Sequence, residues 1–352
     1  MELLSVTMND GVKPRSEIEG KDNSSEDKSN YKIVRKGDMV YNSMRMWQGA
    51  NGISPCDGIV SPAYTVLMPK QEINNGYFAA LFKSANLINE FRKNSQGMTS
   101  DTWNLKYPQI ETIKVQIPSV SEQYKVSEMF SVLDERIAAQ SQLVESLKKY
   151  KRGLLSQLIA QKKSFDTSGE WKTVKLGHIF KERTERAKGN ETLLAVTISN
   201  GVQRRDEIDL KDNSSDDKSN YKCVYVGDIA YNTMRMWQGA SGVSPYKGIV
   251  SPAYTIVTPI RPDLHNMTFW TYYFKYSPLV QTFQKFSQGL TSDTWNLKFP
   301  QFSEIAVTMP PISEQDKIAE CLSVFDEHCK CEDEKLQALL QVRTSLLQQL
   351  FM

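Results

Sequence analysis

The residues best equipped to recognise another molecule occur in one phrase that the chain contains twice. YNSMRMWQGANG begins at Tyr41 and YNTMRMWQGASG begins at Tyr231. In the first copy a guanidinium, an indole and an amide lie within four residues, at Arg45, Trp47 and Gln48. A guanidinium can form a bidentate pair with the O6 and N7 atoms of guanine, and an amide can bond adenine in the same way. The phrase therefore predicts a site that reads base edges. A phosphate contact or structural ion pair at Arg45, and core packing of Trp47, stay open as alternatives.

A second repeated phrase offers smaller polar side chains. SQGMTSDTWNLK begins at Ser95 and SQGLTSDTWNLK begins at Ser287. Its Gly predicts a turn, and the hydroxyl and lysine side chains that follow suit phosphates or base edges. A solvated loop before an edge strand is the alternative. The candidate DNA-binding residues of the two phrases are Asn42, Arg45, Trp47, Gln48, Asn51, Thr99, Ser100, Trp103, Asn104 and Lys106, with Asn232, Arg235, Trp237, Gln238, Thr291, Ser292, Trp295, Asn296 and Lys298 in the second copy.

Patterns of catalysis and metal binding are missing from the sequence. It has no GxxxxGK[ST] phosphate loop, no GxGxxG fingerprint and no Asn/Asp-Pro-Pro-aromatic signature of amino-methyltransferases. None of the three histidines is repeated, so a His-based acid–base device would exist once in a duplicated protein. HCKC at His328 has no matching ligand cluster, and Asp101 and Asp293 have no paired-carboxylate pattern beside them. We predict no catalytic residue, no metal site and no cofactor bound by this chain.

Composition describes an ordinary globular protein. Of the 352 residues, 40% are hydrophobic and 24% charged, and the formal net charge is +2, which excludes a disordered or fibrous chain. With so small a net charge, cations that bind nucleic acid must be concentrated on particular faces. The five cysteines form no regular framework, and neither a signal segment nor an 18-residue apolar run is found. We expect a cytoplasmic protein.

The whole chain is an internal repeat. Residues 2–68 align with residues 192–258 at an offset of 190, with roughly two-thirds of the positions identical, and the later segments align at an offset of 192. A unit of this length is a duplicated domain and not a solenoid repeat.

Each repeat has two parts of different character. The first combines strand-like runs such as GIVSPAYTVLMP with turn signals and a helical patch, GYFAALFKSANLINEFRKNS in copy one, which Ser277–Pro278 splits into two helices in copy two. The second part opens with SEQ and has apolar residues at alternating steps of four and three, which predicts one long helix. The predicted division is residues 1–118 and 164–310 for two target domains, and 119–163 and 311–352 for two helices.

The two helices are predicted to pack on each other, because neither can bury its apolar stripe alone. Antiparallel packing would relate the domains by an approximate two-fold axis, as duplex DNA relates its strands. Polar residues interrupt the seam at matching places, Gln140 with Glu332 and Lys151 with Arg343. The predicted seam residues are Leu133, Ile137, Val144, Leu147, Leu154, Leu158, Phe325, Cys329, Leu336, Leu339, Leu346 and Leu350.

This organisation resembles the specificity subunit of type I restriction–modification enzymes. MRMWQGA, GIVSPAYT and P-x-SEQ occur in that order in each repeat, and KYKRGLLSQLI and VRTSLLQQLF close the two helices. The resemblance implies an α+β fold with two target-recognition domains, each reading half of a bipartite DNA site, and two spacer helices. It implies two methyltransferase subunits and restriction subunits as partners, with S-adenosylmethionine, ATP and Mg²⁺ only on those partners.

One segment departs from that pattern. The family begins each recognition domain with a segment like GEWKTVKLGHIFKERTERAKGNE, residues 169–191, which copy one does not contain. We therefore expect the first domain to lack its opening strand and helix. Because both readers share their loops, the expected target has similar, inverted halves. A self-contained nuclease and a structural coiled-coil protein are the rival interpretations.

Overall fold

The computed structural model describes residues 1–8, 11–22, 24–165, 169–187, 191–208, 214–215 and 217–351. These residues form two compact units, each of which combines one globular domain with parts of both long helices. Unit 1 comprises Met1–Val144 and Glu332–Met352, and unit 2 comprises Glu145–Cys331.

The first repeat contains seven strands and four helices among its described residues. They are β1 (Glu2–Thr7), β2 (Gly11–Pro14), β3 (Lys32–Val34), β4 (Met39–Asn42), β5 (Asn51–Ile53), β6 (Gly58–Val60), β7 (Tyr64–Leu67), α1 (Asn75–Leu81), α2 (Ala85–Asn94), α3 (Tyr107–Ile110) and α4 (Val120–Ile159), with 3-10 turns at Arg15–Glu17 and Met46–Gln48.

The second repeat contains further strands at both its ends. Its elements are β8 (Lys172–Lys175), α5 (Leu176–Ile179), β9 (Phe180–Glu182), β10 (Leu194–Thr197), β11 (Gly201–Arg204), β12 (Lys222–Val224), β13 (Ile229–Asn232), β14 (Ser241–Val243), β15 (Gly248–Val250), β16 (Tyr254–Pro259), α6 (Met267–Tyr273), α7 (Ser277–Phe286), α8 (Phe299–Ser303), β17 (Ala306–Met309) and α9 (Ile312–Leu350), with 3-10 turns at Arg205–Glu207, Met236–Gln238 and Pro262–Leu264.

The strands of each unit form small, mostly antiparallel sheets. In unit 1 one sheet has the order β2-β1-β6-β3 and the other β5-β4-β7. In unit 2 the equivalent of the second sheet is β14-β13-β16-β9, and β17 pairs with β8. Equivalent residues pair in the same register, Tyr41 with Thr65 and Tyr231 with Thr255.

The helical patch consists of two helices in both repeats. Asn74 and Asn266 cap α1 and α6 by accepting hydrogen bonds from the backbone N–H groups of Tyr77 and Phe269. In copy one, where a single patch was expected, the Ser84 hydroxyl accepts a bond from the Leu87 N–H and starts α2. A serine can start a helix without the proline that marks the break in copy two, because its oxygen satisfies a free N–H of the first turn.

The core of each unit lies between the strands and these helices. Unit 1 buries Tyr41, Met46, Phe91 and Leu105 in one cluster, and the same cluster includes Phe130 from α4. In the helical patch of copy one, Leu81, Phe82, Leu87 and Phe91 are buried and Phe78 is half-buried. In this way the hydrophobic face of each globular domain is closed in part by the long helices.

The helices α4 and α9 run antiparallel within each unit. In unit 1, the Gln140 amide donates to a Glu332 carboxylate oxygen at 2.8 Å, and Arg343 is paired with Asp134, at 3.2 Å between Nη2 and Oδ2. The sequence numbers rise along α4 as they fall along α9, which fixes the direction. Gln140 and Glu332 are equivalent positions of the repeat, and they meet each other.

Unit 2 contains the equivalent pair with the two helices exchanged. Lys151 pairs with Asp326, and the rings of Tyr150 and Phe325 lie 5.4 Å apart. Asp326 and Lys151 correspond to Asp134 and Arg343 at the offset of 192. The predicted class is confirmed: an α+β fold with two β-rich domains and two long antiparallel helices.

The seam residues differ in their burial. Leu350 is 46% exposed because the end of α9 turns Leu347 and Phe351 inward, onto the core cluster of unit 1 that includes Phe130 of α4. Among the other predicted seam residues, Val144, Leu158 and Cys329 are buried, while Leu133, Ile137, Leu147, Leu154, Phe325, Leu336, Leu339 and Leu346 are half-buried.

Candidate nucleic-acid interface

The first repeated phrase forms a turn between two paired strands. In unit 1 it leaves β4, passes through the 3-10 turn at Met46–Gln48 and enters β5. The Asn42 side chain accepts a hydrogen bond from the Met44 N–H at 3.0 Å, which starts the turn. Gly49 ends it with φ of +83°, in the left-handed region that favours glycine. Asn232 and Gly239 take the same places in unit 2.

This turn separates an anchoring side chain from an exposed one. Met46 and Met236 are fully buried, while their neighbours Arg45 and Arg235 are exposed. Burial of an unbranched thioether fixes the backbone through packing. Each guanidinium therefore faces solvent from a turn that the buried methionine fixes in position.

The second phrase forms a short hairpin. Gln96 and Asn104 exchange two backbone hydrogen bonds of 3.0 and 2.8 Å, and the Thr102 hydroxyl both donates to the Thr99 carbonyl and accepts from its N–H. Gly97 has φ of +147°, and a Cβ there would lie 2.6 Å from the Thr102 carbonyl oxygen. The hairpin of unit 2, Gln288 to Asn296, has the same bonds.

The two phrases meet in each unit. The rings of Trp47 and Trp103 lie 5.1 Å apart edge to face, and those of Trp237 and Trp295 lie 5.2 Å apart. The Leu105 N–H also donates to the Ser43 carbonyl at 2.8 Å. Edge-to-face contact is the favoured geometry of aromatic pairs. Each unit therefore has one surface made from both phrases, although they are some fifty residues apart in sequence.

Several candidates use their polar atoms within the protein. Asn51 is fully buried in β5, where its amide donates to the Gly49 carbonyl at 3.1 Å, so this predicted candidate does not lie on the surface. Trp47 is half-buried, and its indole N–H donates to the Met44 carbonyl. Asn42 caps the turn. Trp103, Trp237, Trp295, Asn104 and Asn296 are also half-buried, and Asn232 caps the second turn.

The remaining candidates are on the surface. Gln48 is half-exposed. Arg45, Thr99, Ser100 and Lys106 in unit 1, and Arg235, Gln238, Thr291, Ser292 and Lys298 in unit 2, are exposed. Each unit thus presents a guanidinium, an amide, two hydroxyls and an ammonium around a pair of tryptophans, which is a set of donors suited to base edges and phosphates.

A half-buried lysine that the sequence patterns do not single out supports the turn of unit 2. The Lys275 ammonium donates to the Gly239 carbonyl and, at 2.8 Å, to the Ile198 carbonyl, so it ties the turn to the end of β10. Burial lowers the pKa of this group from 10.5 to about 8. Lys83 lies against Gly49 at the equivalent place in unit 1.

The SEQ motif also has a role that its sequence did not reveal. Gln123 and Gln315 are buried, and their side-chain oxygens accept from the N–H groups of the cap residues Asn74 and Asn266 at 2.9 and 3.0 Å. Their amide groups donate to Pro118 and Pro310 carbonyls. The glutamine thus joins each long helix to the helical pair that supports the hairpin. The occurrence of SEQ at the start of both long helices is the sequence signal from which this role could have been predicted.

Membrane-spanning helices and metal clusters are both missing from the part of the chain that the structure describes. No helix in that part is long and apolar enough to cross a membrane. Within the same residues, no three His, Cys, Asp or Glu side chains are grouped so as to hold a metal ion.

Comparison with known proteins agrees with this architecture. The S subunit of a type I restriction–modification system from M. genitalium is similar to this chain with 15% identity and a TM-score of 0.57, over 91% of this chain and 84% of that one. A structure described as showing complex assembly and conformational transition of the type I R-M system is similar with 16% identity and a TM-score of 0.55, over 92% and 83%. At these identities the likeness concerns the fold.

The family follows from the sequence itself. The model of the type I restriction modification DNA specificity domain matches residues 5–149 and again residues 168–341. The rival interpretations, a self-contained nuclease and a structural coiled-coil protein, have no support from these matches. The chain therefore belongs to the type I restriction–modification DNA specificity family, and it is a non-catalytic subunit that recognises a DNA target.

Proposed function

We propose that each unit reads one half of a bipartite DNA site, and that the two halves are similar in sequence and inverted in orientation. The observation that carries the proposal is the repeated surface, on which Arg45 and Arg235 project from identical turns beside identical tryptophan pairs. Equal readers select similar base pairs, since the same donors meet the same acceptors. The antiparallel helices within each unit support the inverted orientation.

Recognition in this proposal is differential binding. Arg45 and Arg235 form bidentate contacts with guanine, Gln48 and Gln238 bond adenine, and the hydroxyls and lysines hold phosphates. A phosphate contact helps all sequences equally, whereas an unmatched base edge leaves a buried donor without its partner. The discrimination between targets consequently comes from a few exposed side chains in each unit.

We further infer that this subunit directs two DNA methyltransferase subunits, and restriction subunits in the larger complex, to the chosen site in the cytoplasm. In this proposal S-adenosylmethionine, ATP and Mg²⁺ are held by those partners. Family membership supports it, together with the similar structure that is described as showing complex assembly of the type I R-M system.

The proposal is tested by purifying the full chain with the methyltransferase subunits that accompany it and sequencing the methylated DNA. We expect a motif of two similar, inverted half-sequences separated by a fixed gap. Two unrelated half-sequences, or two halves in the same orientation, would overturn the inverted-repeat target. The absence of any methylated motif from cells that contain the complex would overturn target recognition as a whole.

A further inference from the structure

The tip of each hairpin carries a fully exposed apolar side chain. Met98 is 99% exposed and Leu290 is 101% exposed, at equivalent positions next to Gly97 and Gly289. We propose that these two side chains insert between neighbouring base pairs, one in each half of the DNA target. This inference rests on the proposed function, and it adds a distortion of the DNA to the reading of base edges.

The hairpin holds its tip outward. The Gln96–Asn104 bonds close its base, and Thr102 bonds Thr99 through both backbone and side chain. On the returning strand, Trp103 packs against Trp47, which belongs to the proposed reading surface. A tip fixed at its base in this way loses little conformational freedom when it inserts, and that favours insertion.

The surroundings of the tip favour DNA over a protein partner. A protein-docking surface has an apolar core made of several side chains, whereas here the neighbours are Thr99, Ser100 and Asp101, all exposed and polar. Asp101 is compatible with a position among base edges, where a carboxylate can accept from the cytosine amino group. A lone Met or Leu among polar groups is the arrangement of an apolar wedge, which gains burial between bases and thereby offsets the cost of unstacking them.

The two copies support a common role for the apolar side chain. The hairpins differ between Gln96 and Asn104 at this position alone, and the difference is Met for Leu. Both are unbranched at Cβ and of similar size, so either can enter the same base step. An apolar side chain of this length therefore stands at the exposed tip of both hairpins.

The test uses the purified complex of the full chain with its methyltransferase subunits. The probe is a duplex that carries the methylated motif, with 2-aminopurine replacing one adenine at a time, because the fluorescence of this base rises when it loses its stacking partners. We expect a rise at one step in each half-site, in addition to any rise at the methylated adenine. Met98→Ala should abolish the rise in one half and Leu290→Ala the rise in the other, with a loss of affinity of roughly fivefold to tenfold for each.

Two matched variants complete the design. Met98→Leu should keep the signal, since the second repeat has leucine there. Met68→Ala removes a methionine that is 82% exposed at the end of β7 and should change neither signal nor affinity. A methylated motif without unstacking overturns the wedge alone, and the absence of a motif overturns the proposed function with it. If Met98→Ala releases the methyltransferase and leaves stacking unchanged, the tip is a protein contact and the wedge is wrong.

Discussion

Unit 2 has one strand more than unit 1 at the edge of its equivalent sheet. There β9 pairs with β16 and β8 pairs with β17, whereas in the described part of unit 1 the sheet ends at β7. The difference changes burial where β17 pairs with β8: Val307 in β17 is 4% exposed, and its equivalent Val115 is 38% exposed. Phe180 of β9 is fully buried among rings that include Trp270.

The surface that the two repeated phrases form, which is the proposed reading surface, has the same geometry in both units despite this difference. The tryptophan pairs differ in separation by 0.1 Å (5.2 against 5.1 Å), and the bonds that join the two phrases measure 2.8 and 2.9 Å. Both surfaces are built from elements that the two units share. The added segment of unit 2, which comprises β8, α5 and β9, therefore contributes to the core of unit 2 and leaves the geometry of the two repeated phrases unchanged.

The largest expected effect comes from removing the ring that the added segment contributes. Phe180→Ala should lower the free energy of unfolding of unit 2 by about 3–5 kcal/mol, because a large core cavity forms. Hydrogen exchange in the full chain would measure it as faster exchange in β16. Lys181→Ala, exposed on the same strand, is the control. Equal acceleration in β7 would show that the core of unit 1 depends on this segment too.

The reading surfaces should respond equally to the loss of their arginines. Arg45→Ala and Arg235→Ala should each cost about 1–3 kcal/mol of discrimination at one base pair, in different half-sites. Binding selections with each variant complex measure this, with Arg35→Ala, which removes an exposed arginine paired with Asp57, as the control. A loss that is uniform over all sequences would instead identify a phosphate contact.

An ion pair formed by the added segment provides a smaller contrast. The Asp228 carboxylate accepts two bonds from Arg183, at 2.8 and 3.0 Å, and this hydrogen bonding raises the pKa of the arginine. Its equivalent Asp38 accepts from the Arg35 N–H at 2.8 Å. Asp228→Asn should lower the free energy of unfolding of unit 2 by about 1–2 kcal/mol.

Asp38→Asn is the matched change in unit 1, because asparagine retains the acceptor for the backbone N–H. Urea denaturation followed by hydrogen exchange should show a loss of about 0.5 kcal/mol or less for this variant. A loss in unit 1 as large as that in unit 2 would mean that the ion pair with Arg183 contributes nothing of its own.

The last contrast is a pH dependence at Lys275. Its pKa in the folded protein is about 8, below the ordinary 10.5, so above pH 8 the unfolded chain binds more protons than the folded one. The free energy of unfolding of unit 2 should therefore rise with pH, by on the order of 1 kcal/mol between pH 8 and 9. Denaturation of the full chain over this window measures the rise, and Lys275→Met should flatten it. An unchanged slope in that variant would assign the dependence to other groups.

The two long helices and their apolar seam could be predicted from the sequence. The heptad spacing of the seam predicts a long helix with one apolar face, since a side chain repeated every 3.5 residues must lie on one face of a helix. Heptad spacing gives the wrong residue at the end of α9, because the globular domain packs there. Leu347 and Phe351 are buried against that domain, and Leu350 is exposed.

The site was less accessible to sequence analysis because it depends on contacts between distant segments. Both tryptophans of each pair were identified as candidates, yet spacing along the chain gives no distance between Trp47 and Trp103. Asn51 was included for its amide, and the strand pairing that buries it is invisible without the fold. Gln123 was hidden for a similar reason, because its partner Asn74 lies 49 residues earlier.

The buried methionine in the turn of each first phrase has a consequence for how the DNA specificity of the protein can evolve. Met46 and Met236 carry the packing, and the outward neighbours carry little of it. Under the proposed reading of bases by Arg45 and Arg235, exchange of these neighbours would leave folding nearly intact while it altered which bases are chosen. New target preferences can arise one half at a time, through single substitutions that a marginally stable chain tolerates.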